Sequence, residues 1–346
     1  MIYRLNANHT LTEFSDRYVE YITTRYVPDG SLIVSIDVFD FTAGGVDLSP
    51  AARSIIENHL GHIIFDSSGH IVDSNQLYQN ILQLNLTVPF YLLTGEFTYC
   101  NHPPANTHIK FFPFWTVWAS APHAIDGNFK NYNFSQQPKK YKLSCLNGMP
   151  WQHRKWVYLQ LAHKPYFNDM VFSYGNRDDN ISCNNFDEFR LTDEENNKFA
   201  QLPAKFKFTD RDQHTKIDIT IDHPAYLETY INLVTETTIN GKFSMLSEKT
   251  FKPIVAGQLF ILVAAAGAVQ FLRDIGIDTF DDIIDHSYDT LVDNRLRLLA
   301  VIAQVDRLMT LDIESIYNQL KPRLQRNSEY IRSEEFRQQF SLTFDN

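Results

Sequence analysis

After the apolar run "KLSC" the chain continues "LNGMPWQHR", which brings Asn147, Gly148, His153 and Arg154 close together. After "INLVT" come Glu236 and Thr237, and then "SEKTFK", with Ser247, Glu248, Lys249 and Lys252. Ser173 lies in a third run of this kind, "DMVFSYGN". The basic members suit an anion, since Arg grips a phosphate through two parallel hydrogen bonds and Lys acts as a compact point charge. The carboxylates Glu236 and Glu248 suit the paired hydroxyls of a ribose. Acid beside base is therefore what a nucleoside diphosphate requires. Either cluster taken alone is equally an ordinary solvated helix start. Recurrence at the ends of several predicted strands favours the functional reading.

The elements that must position these residues alternate. In the first part, "GSLIVSIDVFDF" (30–41), "HIIFD" and "VPFYLLTGEF" (88–97) read as strands. Between them, "SPAARSIIENHLGH" (49–62) and "SNQLYQNILQLN" read as helices, the former with Ser49 as cap and Pro50 at its first position. Strands separated by helices imply a parallel sheet covered on both faces. The aromatic-rich stretch 108–129 reads as a loop, either contacting an acceptor or packing between domains. A polar, Pro-containing stretch (131–142) reads as a linker. A second series follows: strands "KYKLSCLNG", "DMVFSYGN", "INLVTET" and "GQLFILV", with helices at "PWQHRKWVYLQLA", "HPAYLETY", the Glu248 cluster and "AAGAVQFLRDIG". The acidic, Asn-rich stretch 176–208 reads as a surface excursion. Two long amphipathic helices, "NRLRLLAVIAQVDRLM" and "DIESIYNQLKPRLQRNSEYI", close the chain. Open α/β sheets bind ligands at the carboxyl ends of their strands, which is where both clusters fall.

The composition sets limits. The 346 residues are 44% hydrophobic and 21% charged, as in globular proteins, and suffice for two domains. A net charge of −10 argues against a general nucleic-acid coat, though Lys139, Lys140, Lys142, Arg154 and Lys155 could line a local basic groove. Cys100, Cys145 and Cys183 are odd in number and widely spaced, as expected of reduced thiols, and suggest no zinc site. The opening residues lack a basic-then-apolar leader pattern, so the expected compartment is cytoplasmic, the host cytoplasm for a viral protein. The apolar run Pro253–Leu272 has the length of a membrane span. It contains Gly257, Gln258, Gly267 and Gln270, however, and divides into a strand and a helix ending at Gly276. No membrane span is expected.

The segments "KLSCLNGMPWQHRKWVYLQL", "VTETTINGKFSMLSEKTFKPIVAGQLFILV" and "VQFLRDIGIDTFDDIIDHSYD" resemble the donor-binding half of phage and bacterial glycosyltransferases distantly similar to the α-1,3-fucosyltransferases. The resemblance covers roughly residues 140–300. It implies an α/β GT-B fold: two Rossmann-like domains with parallel sheets facing a central cleft, plus C-terminal helices. The domains would be 1–135 on the acceptor side, 136–310 binding the donor, and helices 311–346 packing back across the cleft. It also implies transfer of a sugar from a UDP- or GDP-linked donor, with no other cofactor. Glu248 would meet the ribose, Lys249 and Arg154 the diphosphate, and Glu236 the donor sugar or ribose. The chain departs from the family at Leu259 and at "AAAGA" (264–268), where the family usually has a Pro two residues before the Ile of the strand and a Gly-rich turn after it.

Transfer of this kind needs a base to take the acceptor proton, expected at a strand end of the first domain: Asp40 or Glu96. Displacement would be in-line and inverting. Asp210-Arg211-Asp212 has the spacing of metal-dependent transferases, but it lies away from the strand ends, so no metal is expected. The acceptor hydroxyl would belong to a glycan or to a hydroxymethylated base of phage DNA, the latter a DNA-modification activity. The alternative is a non-catalytic nucleotide-sugar-binding protein.

Overall fold

A computed structural model of the chain describes residues 2–5, 11–13, 26–36, 48–68, 73–99, 108–120, 139–175, 189–203, 221, 224–241, 244–340, 342 and 344. The chain divides into two compact units, Met1–Trp118 with Arg337–Asn346, and Ala119–Phe336.

The first unit contains β1 (Ile2–Leu5), β2 (Leu11–Glu13), β3 (Leu32–Ile36), α1 (Pro50–Glu57), β4 (Ile63–Asp66), α2 (Ser74–Leu82), β5 (Phe90–Thr94) and β6 (Ile109–Phe111). The helix α3 (Phe114–Ser120) spans the boundary between units. The sheet order is β2-β1-β3-β4-β5-β6, parallel except for β2, which runs antiparallel to β1. Its parallel strands advance in one direction only, so right-handed crossovers put their helices on one face. Accordingly, Ala52 and Ile56 of α1 and Leu77, Tyr78 and Ile81 of α2 share one core with Leu32, Val34, Phe65 and Leu92. The expected cover on both faces is present, but not by helices alone. Ile33, Ile64 and Leu93 on the opposite face are also buried, and Phe344 meets Tyr91 edge-on there.

Helix α1 begins as expected, with the Ala52 N–H donating to Ser49 Oγ at 3.2 Å and Pro50 in its first turn. It stops at Glu57, short of the expected end, where the Asn58 side chain turns back to donate to the Ser54 carbonyl. The aromatic stretch at 108 is not a loop in its first part. It forms β6 and α3, with Phe112, Phe114 and Val117 buried. Aromatic residues favour strands, and Pro113 sits where α3 begins, its carbonyl accepting from the Val117 N–H.

The second unit contains β7 (Tyr141–Asn147), α4 (Gln152–Ala162), β8 (Val171–Tyr174), α5 (Asp193–Phe199), α6 (Pro224–Leu227), β9 (Thr229–Thr235), α7 (Glu248–Val255), β10 (Leu259–Val263), α8 (Ala268–Asp274), α9 (Asn294–Met309), α10 (Ile313–Tyr330) and α11 (Glu334–Gln338), the last ending in the first unit. Its all-parallel sheet has the order β10-β9-β7-β8. From β7 the chain moves to one side for β8, then crosses back to the other side for β9. The order therefore reverses between β7 and β9, which is the position where open α/β sheets bind ligands.

The apolar run after Pro253 resolves as expected into the end of a helix, the strand β10 and the helix α8. Gly257 and Gly276, both at positive φ, end α7 and α8. Among the described residues no helix is long and apolar enough to cross a membrane. The excursion 176–208 is not without structure: it contains α5, which opens on a capping box between Thr192 and Glu195. Glu195 also accepts from Trp156 Nε1 of α4 at 2.8 Å and from both terminal nitrogens of Arg295 of α9 at 2.6 and 3.1 Å. Burial pushes its carboxyl up, but the hydrogen bonds from Arg295, the Thr192 N–H and Trp156 outweigh this and bring it down to about 2. A depressed carboxyl stabilises the fold above its unfolded value and stops doing so as pH falls through its folded value. Glu195→Gln is therefore expected to cost about 2 kcal/mol at pH 7, as for hydrogen bonds to a charged group. In urea unfolding, the gap between wild type and variant should close as pH falls from 4.5 towards 2.

Candidate functional site

The carboxyl ends of β7 and β9 lie side by side, and their register sets the site. Ser144 pairs with Asn232, so Asn147 sits beside Thr235 on the same face, and Thr235 Oγ1 donates to Asn147 Oδ1 at 2.6 Å. Asn147 Nδ2 reaches the buried Cys145 sulfur, whose thiol burial pushes up to about 12. From α4, His153 Nε2 lies 2.9 Å from the Glu236 carbonyl oxygen. Arg154 Nη2 donates to the Thr235 and Glu236 carbonyls at 2.9 and 3.0 Å. Both side chains are fully buried, so the first turn of α4 is bound to the end of β9.

The Glu236 side chain points to the next helix. Its Oε1 accepts from the Ser247 N–H at 3.0 Å and from Thr250 Oγ1 at 2.5 Å, and its Oε2 accepts from Ser247 Oγ at 2.6 Å. Ser247 is itself the cap of α7. Helix starts leave N–H groups without partners, and this carboxylate supplies both an acceptor and a charge matched to the dipole. Next to it, Lys249 Nζ donates to Glu248 Oε1 at 2.9 Å and to Ser247 Oγ at 3.1 Å, with Thr237 Oγ1 at 3.5 Å. Glu248 is buried, which raises its carboxyl, but Lys249 and Lys252 outweigh this and the net shift is downward. Lys252 is buried as well, its ammonium over the Tyr226 ring. Lys249 keeps a side chain 32% exposed, and Thr237, Gly148, Met149 and Pro150 are half-buried, so the cluster opens to solvent along this line.

Among the described residues, α4, α7 and α8 begin at this edge of the sheet, and their starts differ. That of α7 is closed by Glu236. That of α8 is closed by Asp289, which accepts from the Val269 and Gln270 N–H groups at 3.0 and 2.9 Å. The start of α4 has Trp151 in the cap position, a residue whose side chain makes no cap hydrogen bond, and no acid in its first turn.

Of the residues singled out from sequence, Asn147, Gly148, His153, Arg154, Glu236, Thr237, Ser247, Glu248, Lys249 and Lys252 gather here. Ser173 does not: it pairs with Leu146, and alternation along a strand turns it to the face opposite Asn147. Asp40 and Asp210-Arg211-Asp212 lie outside the described residues. Thr235, Thr250, Asp289 and Arg297 escaped the sequence reading. Arg297, buried on α9, holds the Ala264, Ile239, Leu291 and Val292 carbonyls and Asn294 Oδ1. Nothing in its local sequence signals the bonds to Ala264 and Ile239, because those carbonyls are distant along the chain. Among the described residues no group of three or more His, Cys, Asp or Glu side chains is placed to hold a metal ion. An open hollow lined by Asp312, Glu314, Ser315, Asn318 and Gln319 lies near the start of β7, where Lys142 reaches the Met309 and Leu311 carbonyls. That is the wrong end of the strands for a ligand of this fold.

In the first unit, Glu96 follows β5 and is buried. Its Oε1 accepts from the Ser74 N–H at 2.8 Å and from Ser74 Oγ at 2.6 Å. Burial raises its carboxyl above the usual range, against the Ser74 hydrogen bonds.

No protein-family model matches the chain, and no curated protein or solved structure is significantly similar to it.

Glu236→Ala would leave three buried donors without an acceptor and is expected to cost about 3 kcal/mol in urea unfolding. Glu236→Gln, which keeps one acceptor oxygen, should cost clearly less.

Proposed function

We propose that the second unit binds a nucleoside diphosphate where its strand order reverses, and that the ligand is the leaving group of a nucleotide-sugar donor in glycosyl transfer. One observation carries the binding half of this reading. At the switch point, Arg154 and Lys252, both buried, and the part-exposed Lys249 gather beside the start of α4, whose first turn carries no acid. The diphosphate would take the first-turn N–H groups of α4 and the ammonium of Lys249. Arg154 contributes its charge from behind, because its guanidinium is already committed to carbonyls. Glu248, held ionised, accepts the ribose hydroxyls. Glu236 acts by fixing the two helices, which differs from direct contact with the donor sugar.

The transfer half rests on the resemblance to GT-B glycosyltransferases. The acceptor hydroxyl attacks the anomeric carbon, the bond from that carbon to the diphosphate oxygen breaks, and the charge passes to the diphosphate. The hydroxyl proton goes to a carboxylate. Glu96 suits that role, because Ser74 fixes one of its oxygens and burial raises its proton affinity. The acceptor is a glycan or a hydroxymethylated DNA base. The other reading, a non-catalytic nucleotide-sugar-binding protein, is favoured by the use of Glu96 to hold the start of α2 through Ser74.

A thermal-shift screen against UDP, GDP, ADP, CDP and TDP tests the binding half. One nucleotide at about 100 times its Kd should stabilise the fold by about 2.7 kcal/mol, a rise of several degrees. Lys249→Ala should weaken that response at least tenfold in affinity. Glu96→Gln should leave nucleotide binding intact and lower turnover at least 100-fold. Unchanged turnover in Glu96→Gln would remove this carboxylate as the base.

A further inference from the structure

At the end of β5, Thr94 and Glu96 meet Ser74, the first residue of α2. Ser74 Oγ lies 2.6 Å from both Glu96 Oε1 and Thr94 Oγ1, and the Glu96 N–H donates to Thr94 Oγ1 at 3.2 Å. A hydroxyl carries one proton, and an ionised carboxylate has none to give. Ser74 therefore donates to Oε1, Thr94 donates to Ser74 Oγ, and the three bonds form a ring that runs in one direction. Bonds chained in this way polarise and strengthen one another. Ser74 and Thr94 are fully buried, so water does not compete for their hydroxyls.

The ring separates the two carboxylate oxygens. Oε1 also accepts from the Ser74 N–H at 2.8 Å, so both of its lone pairs are engaged. Oε2 accepts from none of the described residues and keeps some contact with solvent, although Glu96 as a whole is only 9% exposed. We infer that Ser74 and Thr94 are positioning residues for the base: they commit Oε1 to the start of α2 and leave Oε2 as the oxygen that takes the acceptor's proton. This rests on the glycosyl-transfer reading. In that transfer the acceptor oxygen bonds to the anomeric carbon, and the bond from that carbon to the diphosphate oxygen breaks with its electron pair. The acceptor's proton moves to Oε2. Holding a helix start and accepting a proton are thereby compatible in one carboxylate.

The surrounding charges leave the tuning to the hydroxyls. Burial pushes the Glu96 carboxyl up most, the two Ser74 hydrogen bonds hold it down, and the charge of Asp73, at the start of α2, pushes it up further. Tyr99, in the turn after β5, is the other titratable group beside it. Asp66, at the end of the neighbouring β4, is turned to Ser68, and Lys110 of β6 lies over the Tyr91 ring. Among the described residues no cation offsets the burial. Loss of the Ser74 hydroxyl therefore raises the proton affinity of Glu96. A base works in its ionised form, so the acid limb of turnover then moves to higher pH.

The test is the titration of the Glu96 side-chain carboxyl, followed by carbon NMR in glutamate-labelled protein and assigned with Glu96→Gln. Ser74→Ala should move the midpoint up by about one pH unit, the scale of a hydrogen bond to a charged group. Thr94→Val, which keeps the shape of the side chain, should move it up by less, and Thr94→Ser should restore it. The acid limb of kcat/KM should move in the same direction by the same amount. A midpoint that stays or falls in both Ser74→Ala and Thr94→Val would overturn the proposal, whether or not the protein transfers sugar. The expected midpoints with turnover retained in Glu96→Gln, or with no turnover in the wild type, would instead overturn Oε2 as the proton acceptor while the hydroxyl ring stands.

Discussion

The second unit depends on one residue that is bonded at both its backbone and its side chain. Glu236 is the first residue after β9. Its carbonyl receives His153 and Arg154 from α4, and its carboxylate receives Ser247 and Thr250 from α7. A buried carboxylate is costly unless it is fully hydrogen-bonded, and a helix start is costly unless its N–H groups find acceptors. Here each cost offsets the other. The result is a rigid junction at the point where the strand order reverses, with the basic side chains of α4 and α7 drawn to one place.

The same device recurs one strand further along. Asp289 closes α8, and the Asp289 carbonyl accepts from the N–H of Gly267, which precedes the helix at positive φ. Arg297 holds the surrounding loops by their carbonyls. The sheet thus carries its own anions at the starts of α7 and α8. In the proposed reading α4 takes the ligand and the other two helices support it.

Much of this was legible in the sequence, and the reasons are local. Ser49-Pro50, Gly257 and Gly276 announce helix ends through their own conformational preferences, and the short apolar runs announce strands of a parallel sheet. The clustering of Asn147, Arg154, Glu236 and Lys249 followed from their places after strand ends. The roles were harder to read. Glu236 looked like a ligand group and is engaged as a helix cap, because the identity of its partners is fixed by the return of the chain at Ser247 and Thr250. Ser173 was misplaced by a single step of strand alternation. The turn at "AAAGA" was also hard to read: the helix that follows is capped by a side chain twenty residues further on, and no local pattern encodes that.

The central claim is that the start of α4 is where a nucleoside diphosphate binds. A crystal structure of the chain grown with the nucleoside diphosphate that stabilises it most tests this directly. The account predicts phosphate density against the first-turn N–H groups of α4 and within reach of Lys249 Nζ. Phosphates bound at another edge of the sheet would contradict it.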